Sequence, residues 1–485
     1  MKKMGKYGIV YKIKMTDDKI KLKEYFDKIA PKHHHWRNKN RYYYSYIENH
    51  ISFIIPQGKK VLEVGCGTGE LLVRLKPSKG LGVDMSNKMI DLARTKNTDE
   101  KIEFKTGEID DVRETFDYII ISDLIGYLPD IEEFFRKLEK ITHPSSRIII
   151  TQYSKLWEPI LNIASKISLR MPSIEQNWVS QTDIKNFLHL SDLETIKSGS
   201  KILFPKYIPI ISRILNEFLV NMPFFNKLGL VNFVTARPLN KRKDENPSVS
   251  IIVPARNEAG TIKKIIEELP NLGKFTEIIF IEGHSKDNTL EEIKKVVSSY
   301  KGPKILKYAV QEGKGKGDAV RKGFDMATGD ILMIYDADMT VPAGEVYKFY
   351  DAIVRSKGDF INGCRLVYPQ EKDSMRVINY AGNKFFGLMF SWILGQPIKD
   401  TLCGTKVLWK KDYEDIKVNR KFFGDFDPFG DFDLLFGAAK LNLKIIDLPV
   451  RYKSRVYGST NISRFKHGWL LIKMMFFSMK KLKFR

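Results

Sequence analysis

Cysteine is scarce: the 485 residues hold three, Cys66, Cys364 and Cys403, far apart and without a CxxC pair. That excludes a disulfide framework and a cysteine zinc site, and it fits a reducing cytoplasm. Long apolar runs are also missing. The opening MKKMGKYGIVYKIKMTDD is basic but has no apolar stretch of about 7–15 residues and no small-residue cleavage site, so no secretory leader is expected. The longest apolar stretches, around residues 385–395 and 469–479, fall short of the roughly 20 residues of a spanning helix. No internal repeat is visible. Acidic residues are outnumbered, 58 against 81 lysines and arginines, for a net charge of +23. A positive surface favours anionic partners, and nucleotide phosphates, acidic lipid and nucleic acid all qualify. What is present is a globular composition, 43% hydrophobic, 12% aromatic and 29% charged, unlike that of chains too polar to fold. At about 150 residues per domain, the length holds two or three domains.

A polar seam, LNKRKDENPS at 239–248, ends with a proline just before an apolar strand and reads as a linker. It leaves an N-terminal extension at 1–24, a first domain at 25–238 and a second at 249–485. Strand-like runs at 60–64, 80–84, 116–122 and 147–151 alternate with helical patterns such as 89–95 and 131–141. After the seam the alternation restarts at 250–254, 277–282 and 330–336. Strands alternating with helices imply right-handed crossovers and a mostly parallel sheet, so two tandem α/β domains are expected.

In the first block the strand KKVLEV runs into GCGTGELL, where Gly65, Gly67 and Gly69 let the chain turn sharply into a helix and approach a ligand closely. Asp84 closes the next strand in GLGVDMS, about twenty residues on, where a carboxylate can accept from both hydroxyls of a ribose. Spacing alone admits a dinucleotide or a nucleoside. Glu63 before the turn would repel a pyrophosphate and the loop has no phosphate-binding lysine, which favours the nucleoside. Through LEVGCGTG and GVD this block resembles the class I S-adenosylmethionine-dependent methyltransferases over residues 25–238. The resemblance implies a Rossmann-like sheet and S-adenosylmethionine as cofactor. It assigns Glu63, Gly65, Gly67 and Gly69 to the methionine part, Asp84 to the ribose, and Gly107, Glu108 and Ile109 to the adenine. Asp123, in IISDLIGYL, falls where the acceptor enters. A sulfonium is already an activated methyl donor, so catalysis is mainly alignment, and no general base is named. Upstream, in APKHHHWRNKNRYYY, the consecutive His33, His34 and His35 point in different directions and make no single metal site. With Trp36, Arg37, Arg41, Tyr42, Tyr43 and Tyr44 they read as a helical lid over the cleft. The apolar segment 204–230 either caps the acceptor pocket or lies on a membrane, and the cap is favoured.

The second block opens SVSIIVPARNEAGTI, with Arg256, Asn257 and Glu258 on the loop at the strand's carboxyl end, where open α/β sheets bind ligands. Glu282 ends the adjacent strand. A loop GKGKG precedes a helix and a strand that ends in Asp336 and Asp338, two acids able to share an oxygen-liganded Mg²⁺ or Mn²⁺ with diphosphate oxygens. VPARNE, GKGKGDAVRKGF, ATGDILMIYDAD, DTLCGTKVL and RVYGSTNI, in that order, resemble family 2 glycosyltransferases of the GT-A fold, the branch of polyprenyl-phosphate mannosyl- and glucosyltransferases. The resemblance implies that Pro254, Arg256 and Glu258 hold the nucleoside, that Glu282 contacts base or ribose, and that Lys314 and Lys316 lie near phosphates. Asp336 and Asp338 would bind the metal, and Arg451, Arg455 and Lys466 fall where relatives clamp the diphosphate. His467 is a candidate third metal ligand, with simple surface placement the favoured reading. The family's DDGS reads EGHS, so Gly283 replaces the second acid and the nucleobase is not assigned.

Asp431 falls where sugar-acceptor relatives carry a general base, and Asp433 where the lipid-phosphate branch has an acid. A sugar hydroxyl needs such a base; an ionised phosphate does not. With both aspartates present the acceptor stays open among a glycan, a glycolipid and a polyprenyl phosphate. NKFFGLMFSWILGQ and the lysine-rich tail GWLLIKMMFFSMKKLKFR fit peripheral contact with an anionic membrane, or else core packing. The expectation is a bifunctional transferase, with metal-dependent inverting glycosyl transfer from a nucleotide sugar and methyl transfer in one pathway, in the cytoplasm at the inner membrane face. The alternative is a nucleic-acid methyltransferase with a non-catalytic sugar-nucleotide-binding domain. Scattered lysines and an intact acid pair argue against it, and no nucleic-acid partner is expected.

Overall fold

The computed structural model describes residues 6–239, 244, 246–368, 377–422, 432–455, 457 and 464–484, with the backbone alone at 6–16, 377–379, 421 and 464–467. Asp431 lies outside the described residues, as do the side chains of Lys466 and His467. The chain forms two compact units that divide between residues 240 and 241.

The first unit is a seven-stranded sheet built from β1 (Lys60–Val64), β2 (Lys79–Asp84), β3 (Ile102–Thr106), β4 (Tyr118–Ser122), β5 (Arg147–Tyr153), β6 (Leu193–Lys201) and β7 (Val231–Pro238). The order is β3-β2-β1-β4-β5-β7-β6. The first five strands run parallel, while β7 is antiparallel to both β5 and β6. Val61, Leu62, Ile119, Ile120, Ile121 and Ile150 are buried, as expected of strands covered on both faces. β1 and β4 are neighbours and β2 lies beside β1, so Asp84, the glycine turn after Val64 and Asp123 after Ser122 emerge on one edge. Two helices precede the sheet, Lys6–Lys39 and Arg41–Ile54. The helix Asn87–Lys96 begins after Ser86, whose Oγ accepts from the Met89 amide at 3.2 Å and fixes the turn following Asp84.

The second unit holds β8 (Val249–Ala255), β9 (Thr276–Glu282), β10 (Ile305–Val310), β11 (Ile331–Ile334), β12 (Phe360–Cys364), β13 (Lys406–Trp409) and β14 (Ile445–Pro449) in the order β10-β9-β8-β11-β13-β12-β14. β13 runs antiparallel between β11 and β12; the other pairings are parallel. The two tandem α/β sheets are therefore as expected, with antiparallel strands in the later part of each. The strand expected at 330–336 stops at Ile334, and Asp336 and Asp338 lie on the turn beyond it, where the Met339 amide donates to the Asp336 carbonyl at 3.2 Å.

Both apolar stretches of this unit contribute to its core. Phe386, Phe390 and Ile393 of the helix Val377–Leu394 pack with Leu471, Met474 and Met475 of the helix Arg464–Ser478. Phe385, Leu388, Trp469 and Phe476 remain exposed. Among the described residues no helix is long and apolar enough to cross a membrane.

Candidate functional site

Each unit carries one chemical centre at the carboxyl ends of its strands. In the first, a cavity of about 590 Å³ is lined by Glu63, Gly65, Gly67, Asp84, Glu108, Ile109 and Asp123 together. The loop reaches this position because Gly65, Gly67 and Gly69 all take left-handed φ, at 74°, 52° and 78°, which side chains disfavour. Gly69 opens the helix Glu70–Leu75, and a Cβ there would collide with the Phe104 ring. Asp84 Oδ2 accepts from the Gly67 amide at 2.9 Å and Oδ1 from the Ser86 amide at 2.9 Å, tying strand end to loop. Burial lifts the Asp84 carboxyl above its usual range against the pull of those two amides. Glu63 is buried, has an unpartnered Oε2, and is pushed up to about 8 by burial. Glu108 is held by Lys19, Nζ to Oε2 2.6 Å, from the leading helix.

The leading helices line this cavity with His33, Arg37, Asn40, Tyr43 and Tyr44. His33 Nδ1 lies 3.0 Å from Thr68 Oγ1, and burial lowers its pKa to about 4. Tyr42 instead meets Asn216, whose Nδ2 donates to its hydroxyl at 3.1 Å. Phe204 and Leu230 at the two ends of the apolar segment reach the cavity, while Ile210, Ile214, Phe218 and Phe224 between them are exposed. Asp123 has a left-handed φ of 51° that aims its carboxylate inward; Tyr43 donates to Oδ2 at 3.2 Å and Oδ1 has no partner.

In the second unit the acid pair is held by cations. Lys316 Nζ is 2.6 Å from Asp336 Oδ1. Arg455 bridges Asp338 Oδ2 at 2.9 Å and Glu258 Oε1 at 2.6 Å. Burial opposes ionisation of Asp336, and the Lys316 ammonium overrides it, holding the carboxyl below its usual range. Glu258 is buried and its Oε2 is unpartnered; burial lifts it to about 7 against the pull of Arg455. Pro254 is the penultimate residue of β8, Arg256 is exposed just after the strand, and Lys314 is exposed on its loop. Glu282 is buried, and its Oε1 accepts from the Ser285 amide at 2.5 Å. Gly283 belongs to that turn, and a Cβ there would come within 3.2 Å of Arg256 Cβ. Asp433 stands apart from this network at the start of the helix Phe432–Lys440, where Arg420 Nε is 2.8 Å from its Oδ2. Arg451 lies 5.5 Å from the Tyr368 ring centroid.

Residues 55–194 match the family described as Methyltransferase domain, and residues 250–416 match Glycosyl transferase family 2. The chain is a methyltransferase domain fused to a family 2 glycosyltransferase domain. It is similar to Glycosyltransferase AglJ of Haloferax volcanii, 27% identical over 226 residues, which are 46% of this chain and 69% of that protein. It is also similar to the dolichol-phosphate mannosyltransferase of Pyrococcus furiosus, 26% identical over 238 residues, 46% of this chain and 64% of that one. Other relatives are matched over as little as 26% of their length. Among solved structures, magnesium protoporphyrin IX methyltransferase of Synechocystis with bound SAH aligns over 46% of this chain and 99% of its own, at 15% identity and a TM-score of 0.32.

The methyltransferase cavity fits S-adenosylmethionine on its own features. The glycine loop leaves an open wall, since a Cβ at Gly67 would meet only His33 Cε1, at 4.0 Å, and the orphaned Glu63 Oε2 awaits a donor. The glycosyltransferase acids are oxygen donors of the kind a hard cation takes: two carboxylates one residue apart on the turn after β11, each now held by a cationic side chain, although among the described residues no group of three His, Cys, Asp or Glu forms a full protein cage. Two features of this domain escaped the sequence reading. A Cβ at Gly404 would strike both the Asp336 carboxylate and the Lys316 ammonium, so DTLCG supplies the space for that pair. Asp400 of the same segment is fully buried and takes Arg365 at 2.7 and 2.8 Å, a forked pair that overrides burial and keeps Asp400 ionised. The order-preserving match of DTLCGTKVL was the available signal for both.

Proposed function

We propose that the glycosyltransferase domain transfers a sugar, with inversion, from a UDP- or GDP-linked donor to a polyprenyl phosphate, and that the methyltransferase domain transfers a methyl group from S-adenosylmethionine within the same pathway. One observation carries the first half: on the turn after β11 Asp336 is held by Lys316, and Asp338 shares Arg455 with buried Glu258. Glu258 has a free oxygen for a nucleoside hydroxyl or base. Lys316 and Arg455 would serve as cations for the diphosphate, and Asp336 and Asp338 would hold Mg²⁺ or Mn²⁺. The ion, when bound, neutralises charge on the leaving diphosphate. The polyprenyl phosphate is favoured because Asp433, the acid expected of the lipid-phosphate branch, is in place and ion-paired with Arg420, and because a phosphate acceptor is ionised near neutrality and asks for no base. Three relatives named for dolichol- or dolichyl-phosphate transfer agree with it.

A lipid acceptor places the reaction at the cytoplasmic face of a membrane. Apolar side chains are exposed at Ile160 and Ile163 of the helix Glu158–Lys166 and at Ile210, Ile214, Phe218 and Phe224. Lys155, Lys166, Arg213 and Lys227 accompany them, as an anionic bilayer favours. The test uses the full chain, Mn²⁺, a panel of labelled UDP- and GDP-sugars, and phosphatidylglycerol vesicles containing dolichyl phosphate. Label from one donor enters the lipid and the chain sediments with the vesicles. Label only in added water-soluble glycosides would reject the lipid acceptor, and no transfer from any donor would reject the glycosyltransferase activity.

Glu63 gives the methyltransferase half a pH signature. A carboxyl lifted from 4.5 to about 8 keeps in the folded state a proton that the unfolded chain releases, so its contribution to stability weakens as pH rises across that window. A cationic cofactor beside it favours the carboxylate. Binding S-adenosylmethionine at pH 7 should therefore release roughly one proton, read by calorimetry in buffers of different ionisation enthalpy. Glu63→Gln should abolish that release.

A further inference from the structure

The methyltransferase cavity holds charges that binding the cofactor does not explain. Four cationic side chains line it: Lys19, Arg37, Arg170 and Lys206, beside the partly buried His33. Lys19 is paired with Glu108 at 2.6 Å and Arg37 with Glu48. Lys206 Nζ donates to the Lys39 carbonyl at 3.0 Å and the Asn40 amide oxygen at 2.9 Å. Arg170 differs: its guanidinium stacks 4.5 Å from the Tyr153 ring centroid, its Nη1 is buried without a hydrogen-bond partner, and no carboxylate among the described residues pairs with it. A buried guanidinium nitrogen left unsatisfied costs the desolvation of a charged donor, and an anion in its plane recovers that cost.

On the same wall Asp123 Oδ1 is likewise buried and unpartnered. Its neighbours from every element packed on it are Tyr43 and Tyr44 of the second leading helix, Tyr127 of the turn after β4, Thr151 and Tyr153 of β5, and Arg170. None of these is a ready base at neutral pH, and Asp123 is an acceptor with one oxygen spare. We propose that the methyl acceptor is an anionic alcohol, its hydroxyl against Asp123 and its carboxylate or phosphate on the Arg170 guanidinium. Asp123 is then the catalytic base and Arg170 the group that selects the acceptor. The acceptor proton passes to the Asp123 carboxylate as the acceptor oxygen forms the new O–CH₃ bond, and the electron pair of the broken S–CH₃ bond stays on sulfur, leaving a neutral thioether. Burial sets Asp123 near 6, against its tyrosine hydrogen bond and the Arg170 charge, which keeps most of it ionised at pH 7 and its conjugate acid weak enough to form.

The inference rests on the methyltransferase reading above, and the experiment separates the two. The full chain is saturated with S-adenosylhomocysteine and titrated calorimetrically with methyl glucuronide, with the 6-phosphate of methyl glucoside, and with neutral methyl glucoside. One anionic probe should bind at least tenfold more tightly than the neutral one, and which one it is names the source of the charge. Arg170→Gln should erase that preference and leave S-adenosylhomocysteine affinity unchanged. With the preferred probe and S-adenosylmethionine, methyl transfer should rise with pH through about 6 in the wild type, and Asp123→Asn should remove that limb. The proposal fails if no probe binds, if the three bind alike, or if the pH limb survives Asp123→Asn. It also fails if Arg170→Gln weakens S-adenosylhomocysteine instead, because the anion is then the cofactor's own carboxylate. A wild-type chain that does not bind S-adenosylhomocysteine sinks the methyltransferase reading and the inference together.

Discussion

An Asp338→Asn variant is expected to lose about 10³-fold in kcat/KM for sugar transfer, roughly 4 kcal/mol, while binding S-adenosylhomocysteine as the wild type does. The substitution is chosen for what it keeps. Asp338 Oδ1 accepts from the Thr340 amide at 3.2 Å and the Thr340 hydroxyl at 2.9 Å, and an asparagine oxygen can accept both, so the turn after β11 survives. What it removes is the charge on Oδ2, where Arg455 now binds. Without that charge a divalent cation has one carboxylate left, and the leaving diphosphate loses most of its counter-charge. Donor binding in Mn²⁺ should weaken along with turnover, and the melting temperature should shift by only a few degrees. Sugar transfer near the wild-type rate, measured with the vesicle assay, would mean that Asp338 holds no metal and that Arg455 and Lys316 carry the diphosphate by themselves.

The features that were legible in the sequence share a physical cause: each is fixed by a local backbone need. Glycines at 65, 67 and 69 announce a strand-to-helix turn because few other residues accept the left-handed φ found there. Strand ends were legible because buried parallel strands demand continuous apolar runs, so the acids at or just beyond them, Asp84, Asp123 and the Asp336 pair, stand out at the edge where open α/β sheets bind ligands. Strand direction is a different matter. Nothing in the apolar run KVLW says that β13 lies antiparallel between β11 and β12, because direction depends on how the connecting chain returns. Long-range partners were equally invisible. Arg455 meets Glu258 from 197 residues away, and Arg365 meets Asp400 from 35 away. Arg170 follows the helix Glu158–Lys166 with no motif around it, and only its orphaned nitrogen over Tyr153 gives it meaning.

Asp84→Ala should weaken S-adenosylmethionine binding by about 10²–10³-fold, since two hydrogen bonds from ribose hydroxyls to a carboxylate are each worth about 1.5–3 kcal/mol and partly overlap. In the structure this carboxylate already accepts from the Gly67 and Ser86 amides at 2.9 Å, so two losses must be told apart: the ribose contact and the shape of the loop. Comparing the cofactor product with its 2′-deoxy analogue does so. In the wild type the missing hydroxyl should cost at least tenfold in affinity, whereas in Asp84→Ala the two ligands should bind equally, because the partner of that hydroxyl is gone. If the variant still prefers the hydroxylated ligand by the wild-type factor, Asp84 acts only by bracing the glycine turn, and the ribose is read elsewhere. Sugar-donor binding should be the same in both proteins, since the acids that serve it belong to the glycosyltransferase domain. A loss there would instead report unfolding of the whole chain.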